Sequence, residues 1–152
     1  MKHYMMIGFV FALVLSFAGC NPGDQNTETG EDVEYIPMRT NDGTDQHVSN
    51  DVKNILREYE EIKTVKAVNT PKTVIVAVEI KHSKRLKLEE HEKSYEEALQ
   101  KAFPDMIIEL STDKKLVIEI DRLEHAIKEK SISRKKLEIK IQKLIKMMNK
   151  KT

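Results

Sequence analysis

The stretch from Val74 to Ile80 constrains the fold more than any other. In an extended chain Val74, Val76, Val78 and Ile80 share one face, and Ile75, Ala77, Glu79 and Lys81 share the other. Because Ile75 and Ala77 are also apolar, the middle of this strand must be covered on both sides, as a central strand is. Everything around it has to supply that cover.

Upstream, Val48, Val52, Ile55, Leu56, Tyr59 and Ile62 recur at helical spacing, with Ser49 or Asn50 available to cap the first turn. Lys63 to Val68 reads as a strand and Asn69-Thr70-Pro71-Lys72 as a hairpin turn into the central strand. His82 to Lys87 is a basic loop. Leu88 to Ala102 is a second helix with Leu88, Tyr95, Ala98, Leu99 and Phe103 inward, stopped by Pro104. Met106 to Leu110 is a further strand. Period two and period 3.6 both fit residues 116–122, so strand and helix stay open there. Ser131 to Met148 is a basic amphipathic helix, capped by Ser131 or Ser133, with Leu137, Ile141, Leu144, Ile145 and Met148 as its stripe. The predicted fold is α+β. Helices lie on one face of a three- or four-stranded sheet in a two-layer sandwich of order α-β-β-α-β, followed by the C-terminal amphipathic helix.

The N-terminal end reads differently. Lys2 and His3 lead into an apolar run from Tyr4 to Ala18, too short for the roughly 18–20 residues of a mature membrane span and suited to a secretory signal. Phe17-Ala18-Gly19-Cys20 resembles the lipobox of bacterial lipoproteins, with Phe17 where that family usually has Leu. The resemblance implies diacylglycerol on the Cys20 thiol, cleavage before Cys20, and a further acyl group such as palmitate on its amine. Cys20 is the only cysteine, so no internal disulfide is available and packing alone must hold the exported domain together. Residues 1–19 are therefore a lipoprotein signal peptide and 20–46 an acidic flexible tether. The α+β domain spans 47–130 and the basic amphipathic helix 131–152. Seven acidic residues face one Arg between Cys20 and Asp45, and ten Lys or Arg face two Glu from Lys128 onward. As a coil the tether would reach roughly 25–30 Å. Val33, Tyr35 and Ile36 are its only strand-like residues.

Taken in order, the lipobox, the acidic tether, His47-Val48-Ser49-Asn50, Val65 to Asn69, Val74 to Val78, Phe103-Pro104-Asp105 and Leu110 to Lys115 resemble the sporulation lipoproteins of the YhcN/YlaJ type from endospore-forming Gram-positive bacteria, closer to the YlaJ branch. That likeness covers nearly the whole chain. It implies a membrane-anchored protein of spore formation or germination, on the extracytoplasmic face of a cell or spore membrane, with no enzymatic activity and no catalytic residues to carry over. The element order is also similar to that of BON domains, which associate with membranes.

Chemistry has few footholds. His91-Glu92-Lys93-Ser94-Tyr95 begins like a zinc-protease helix but has Tyr95 where the second histidine belongs. His82 and His91 read as solvated, and no metal or cofactor is expected. Ser111 sits in no Gly-x-Ser-x-Gly elbow and is a cap or turn residue. No glycine occurs from His47 onward, which excludes a glycine-rich phosphate loop. Glu89, Glu90, Glu92, Glu96 and Glu97 are expected as a solvated face with lysine partners. Candidate functional residues are Cys20 for lipid attachment and Lys136, Lys140, Lys143 and Lys146 for surface contact. The last helix packs on its own domain, or its lysines meet anionic lipid or an envelope protein. Nucleic acid is not expected, since no aromatics interleave with the lysines. The alternative function is a lipoprotein receptor for an envelope glycan or small molecule, which requires a cleft.

Overall fold

The computed structural model describes residues 45–150. The signal, Cys20 and the strand-like Val33 to Ile36 lie outside them, as does nearly all of the tether. The chain runs α1 (His47–Arg57), β1 (Ile62–Asn69), β2 (Thr73–Ile80), a 3-10 turn (His82–Lys87), α2 (Leu88–Ala102), β3 (Ile107–Ser111), α3 (Lys114–Lys128) and α4 (Arg134–Met148). Its sheet is ordered β1-β2-β3, with β1 antiparallel and β3 parallel to the central β2. This is the α+β order expected.

The apolar faces of β2 divide the core in two. Val74, Val76, Val78 and Ile80 pack with Val52 and Leu56 of α1 and Tyr95 and Leu99 of α2. Ile75 and Ala77 pack on the other side with Leu116, Ile120, Leu123 and Ile127 of α3 and Leu137, Ile141 and Leu144 of α4. The expected two-layer unit, with helices on one face, is therefore joined by a third layer on the second face. Burying each of these Leu or Ile side chains contributes about 1.5–3 kcal/mol, so neither layer is a minor one.

The open stretch 116–122 is helix, and no fourth strand forms among the described residues. The reason is local. Asp113 caps the helix, its carboxylate accepting from the Lys115 backbone N–H at 2.8 Å. Leu116, Ile120, Leu123 and Ile127 then line up at helical spacing onto the second face. At α1 the expected caps are displaced. Ser49 lies inside the helix, and its N–H is met by the side-chain oxygen of Asn69, twenty residues away, at 3.0 Å. Ser133 sits at the start of α4 without a side-chain cap bond. Between α3 and α4, Lys130 adopts φ 59°. The N–H of Ser131 reaches back to the Ala126 carbonyl and that of Lys130 to Ile127, closing a helix end that glycine usually makes.

Lys53 of α1 is fully buried and Glu124 of α3 is 2% exposed; they pair at 3.2 Å. The same carboxylate oxygen accepts the Ala67 backbone N–H at 2.9 Å, and Lys66 approaches the other oxygen at 3.6 Å. Burial pushes the Glu124 carboxyl up from its ordinary range, against the lowering pull of Lys53, the Ala67 N–H and Lys66. Removing one partner strands the other. Lys53→Met should cost about 3–5 kcal/mol in urea unfolding, and adding Glu124→Gln should recover most of it while keeping the bond to Ala67. A raised folded pKa favours the fold below the unfolded value and loses that contribution as pH rises through the folded one. The Lys53→Met deficit should therefore be smaller at pH 5 than at pH 7, measured by paired urea melts.

Candidate functional site

The stripe of α4 fixes where its lysines go. Leu137, Ile141 and Leu144 are buried, which turns the opposite side of the helix to water. Lys136, Lys140 and Lys143 follow one line along the flank of the stripe, at spacings of four and three residues, and Lys146 lies opposite it. All four are exposed, and none makes an ion pair with another described residue. Lys135 and a 58% exposed Ile139 share the face. The apolar stripe of the helix is buried as expected, and the four lysines lie off it. Met147 and Met148 are half-buried at its end.

Other charged groups are more engaged than the sequence suggests. His91 is partly buried, not solvated: its Nδ1 lies 3.1 Å from Glu61, to which the Tyr95 hydroxyl also donates at 2.9 Å. Burial, then the bond to Glu61, drives the Tyr95 hydroxyl pKa well above its ordinary value. The His91 ring stacks on Tyr95, and its Nε2 is buried without a hydrogen-bond partner among the described residues. Only pairing across the sheet brings Glu61 to this helix, so no spacing in the sequence could have shown it.

Of the acids on α2, Glu89, Glu90, Glu96 and Glu97 are exposed, while Glu92 accepts from the Thr112 hydroxyl at 2.6 Å. Glu92, Glu96, Glu109 and Asp113 line a groove of about 410 Å³ along β3. Burial raises the Glu109 carboxyl pKa, with Glu96 adding to it. Ser111 accepts from the Asp113 N–H at 3.1 Å, the turn role expected of it. Among the described residues no three His, Cys, Asp or Glu side chains gather as a metal-binding group. The basic loop is a 3-10 turn whose Leu86 is 99% exposed, in a run with no acid from Lys81 to Leu88.

Separating stripe from lysine face is direct. Replacing Lys136, Lys140, Lys143 and Lys146 together by Gln should change unfolding free energy by no more than about 0.5 kcal/mol per site. Ile141→Ala alone should cost about 2–5 kcal/mol. Thermal and urea melts read both.

No helix among the described residues is long and apolar enough to cross a membrane. No curated protein and no solved structure matches the chain. The sequence model of the family described as Sporulation lipoprotein YhcN/YlaJ, however, matches residues 21–149, from the position after Cys20 to just past the end of α4. With that share of its length matched, the chain belongs to the sporulation lipoprotein family YhcN/YlaJ.

Proposed function

We propose that the chain is a non-enzymatic lipoprotein of the spore envelope, held by lipid on Cys20 at the extracytoplasmic face of a cell or spore membrane. It acts in spore formation or germination through binding by its α+β domain. The observation that carries this reading is that the family match begins directly after Cys20, the residue that ends the only long apolar run. A diacylglycerol and an amine-linked acyl group give two chains, enough for stable anchoring where one is marginal. The lysines of α4 then contribute orientation more than retention, each adding about 1 kcal/mol beside an anionic surface. The non-enzymatic reading draws support from how the acids along β3 are used: Glu92 holds Thr112 and Asp113 caps α3.

The anchor is tested by feeding an alkyne fatty acid to sporulating cells that carry the wild-type chain or Cys20→Ala. Label should be incorporated in the wild type and lost in the variant, and the variant should leave the membrane fraction. Equal labelling of both chains would end the reading.

A further inference from the structure

The exposed side of α4 does not end at the helix. It continues into a groove of about 320 Å³ that α4 shares with α3. Lys115 and Arg122 stand on the α3 side, and Lys140 and Lys143 on the α4 side. Leu123, Leu144 and Met147 form the apolar part of the lining. Glu119 is the one carboxylate, and it is occupied: its Oε1 accepts from Arg122 Nη1 at 2.6 Å. That bond uses one of the five guanidinium N–H donors of a side chain that is otherwise 67% exposed, so further donors can meet an oxyanion.

Four cations around an apolar lining suit a ligand that is anionic at one end and apolar at the other. We propose that the groove between α3 and α4 binds the headgroup phosphate of an anionic phospholipid, with the glycerol and upper acyl carbons against Leu123, Leu144 and Met147. The proposal rests on the membrane placement given above and deepens it, by naming a built site within the basic surface. Exposed Ile139 beside Lys136 and Lys143 extends the same pattern of lysines around an apolar contact.

The test uses residues 20–152 with Cys20→Ser, so that no acyl chain contributes, co-sedimented with phosphatidylcholine vesicles with and without phosphatidylglycerol. Binding should require phosphatidylglycerol. Lys115→Gln with Arg122→Gln should weaken it about 30-fold, whereas Lys135→Gln with Lys150→Gln, an equal loss of charge outside the groove, should weaken it less than about fivefold. Thermal melts of both pairs confirm folding. Equal losses from the two pairs would mean diffuse attraction and overturn the site. So would binding without phosphatidylglycerol, or no binding at all. Displacement by inorganic phosphate at constant ionic strength would assign the groove to the free ion. Binding seen only after deletion of residues 21–44 would assign it to the chain's own acidic segment; either result overturns the lipid assignment. Because the chain tested carries no lipid on Cys20, the outcome does not depend on the labelling result.

Discussion

The buried pair of Lys53 and Glu124 reaches round the edge of the sheet. Lys53 comes from the layer on one face and Glu124 from the layer on the other, and they meet where β1, an edge strand, turns its Ala67 N–H outward. Lys66 of β1 adds contacts at 2.8 Å to Asp121 and 3.6 Å to Glu124. Two residues along, Gln46 does the same work without charge. Its side chain accepts from the Asn69 N–H and donates to the Asn69 carbonyl, both at 2.9 Å, as a neighbouring strand would. The edge is thereby occupied at Ala67 and Asn69, where a further strand would otherwise bond. Such a pair is costly to desolvate and adds little net stability over an apolar substitute. What it does supply is register: α1 and α3 have one arrangement about β1 in which neither charge is stranded.

With the layers fixed, the position of α4 follows. The second face of β2 offers Ile75 and Ala77, and the apolar residues of α3 and α4 join them in one cluster. The stripe of α4 is consumed by that burial, so the lysines have nowhere to go but outward, and Lys140 and Lys143 come to face Lys115 and Arg122 across the groove. Core packing, and not any pairing among the charges, is what assembles the basic surface.

Much of this was legible in the residues. The alternation of Val74 to Ile80 gave both faces of the central strand, and the stripes of α1, α2 and α4 gave the helices, because each is a periodic apolar pattern that burial must satisfy. What was not legible depends on distance in sequence. Asn69 meets the start of α1 from twenty residues away, Glu61 reaches His91 and Tyr95 from a different element, and Lys53 finds Glu124 seventy-one residues on. Residues 116–122 are a local exception: both periods fit them, and the helix that forms is capped by Asp113, which accepts from the Lys115 N–H. Lys130 carries no mark of a helix end, since its left-handed position is one that glycine usually takes.

The charge pattern of α4 carries a cost that the packing has to cover. Lys136 and Lys140 are four residues apart, and Lys140, Lys143 and Lys146 follow at three, so like charges face one another on each turn. Every such pair destabilises an isolated helix by about 0.2–0.5 kcal/mol, where a Glu in alternate positions would have stabilised it by as much. The helix has just one such favourable ion pair among the described residues, Arg134 with Glu138, on its first turn. A helix needed only to cover α3 and the sheet could mix its charges and lose nothing in burial, because the stripe alone meets the core. Self-repulsion on the outer face is instead relieved by whatever anion approaches it. An anionic bilayer gains about 1 kcal/mol for each lysine near its surface, enough to offset the repulsion several times over. The same lysines that weaken the free helix would therefore favour a lipid-bound one, which is the physical ground of the contact proposed above for this face of α4.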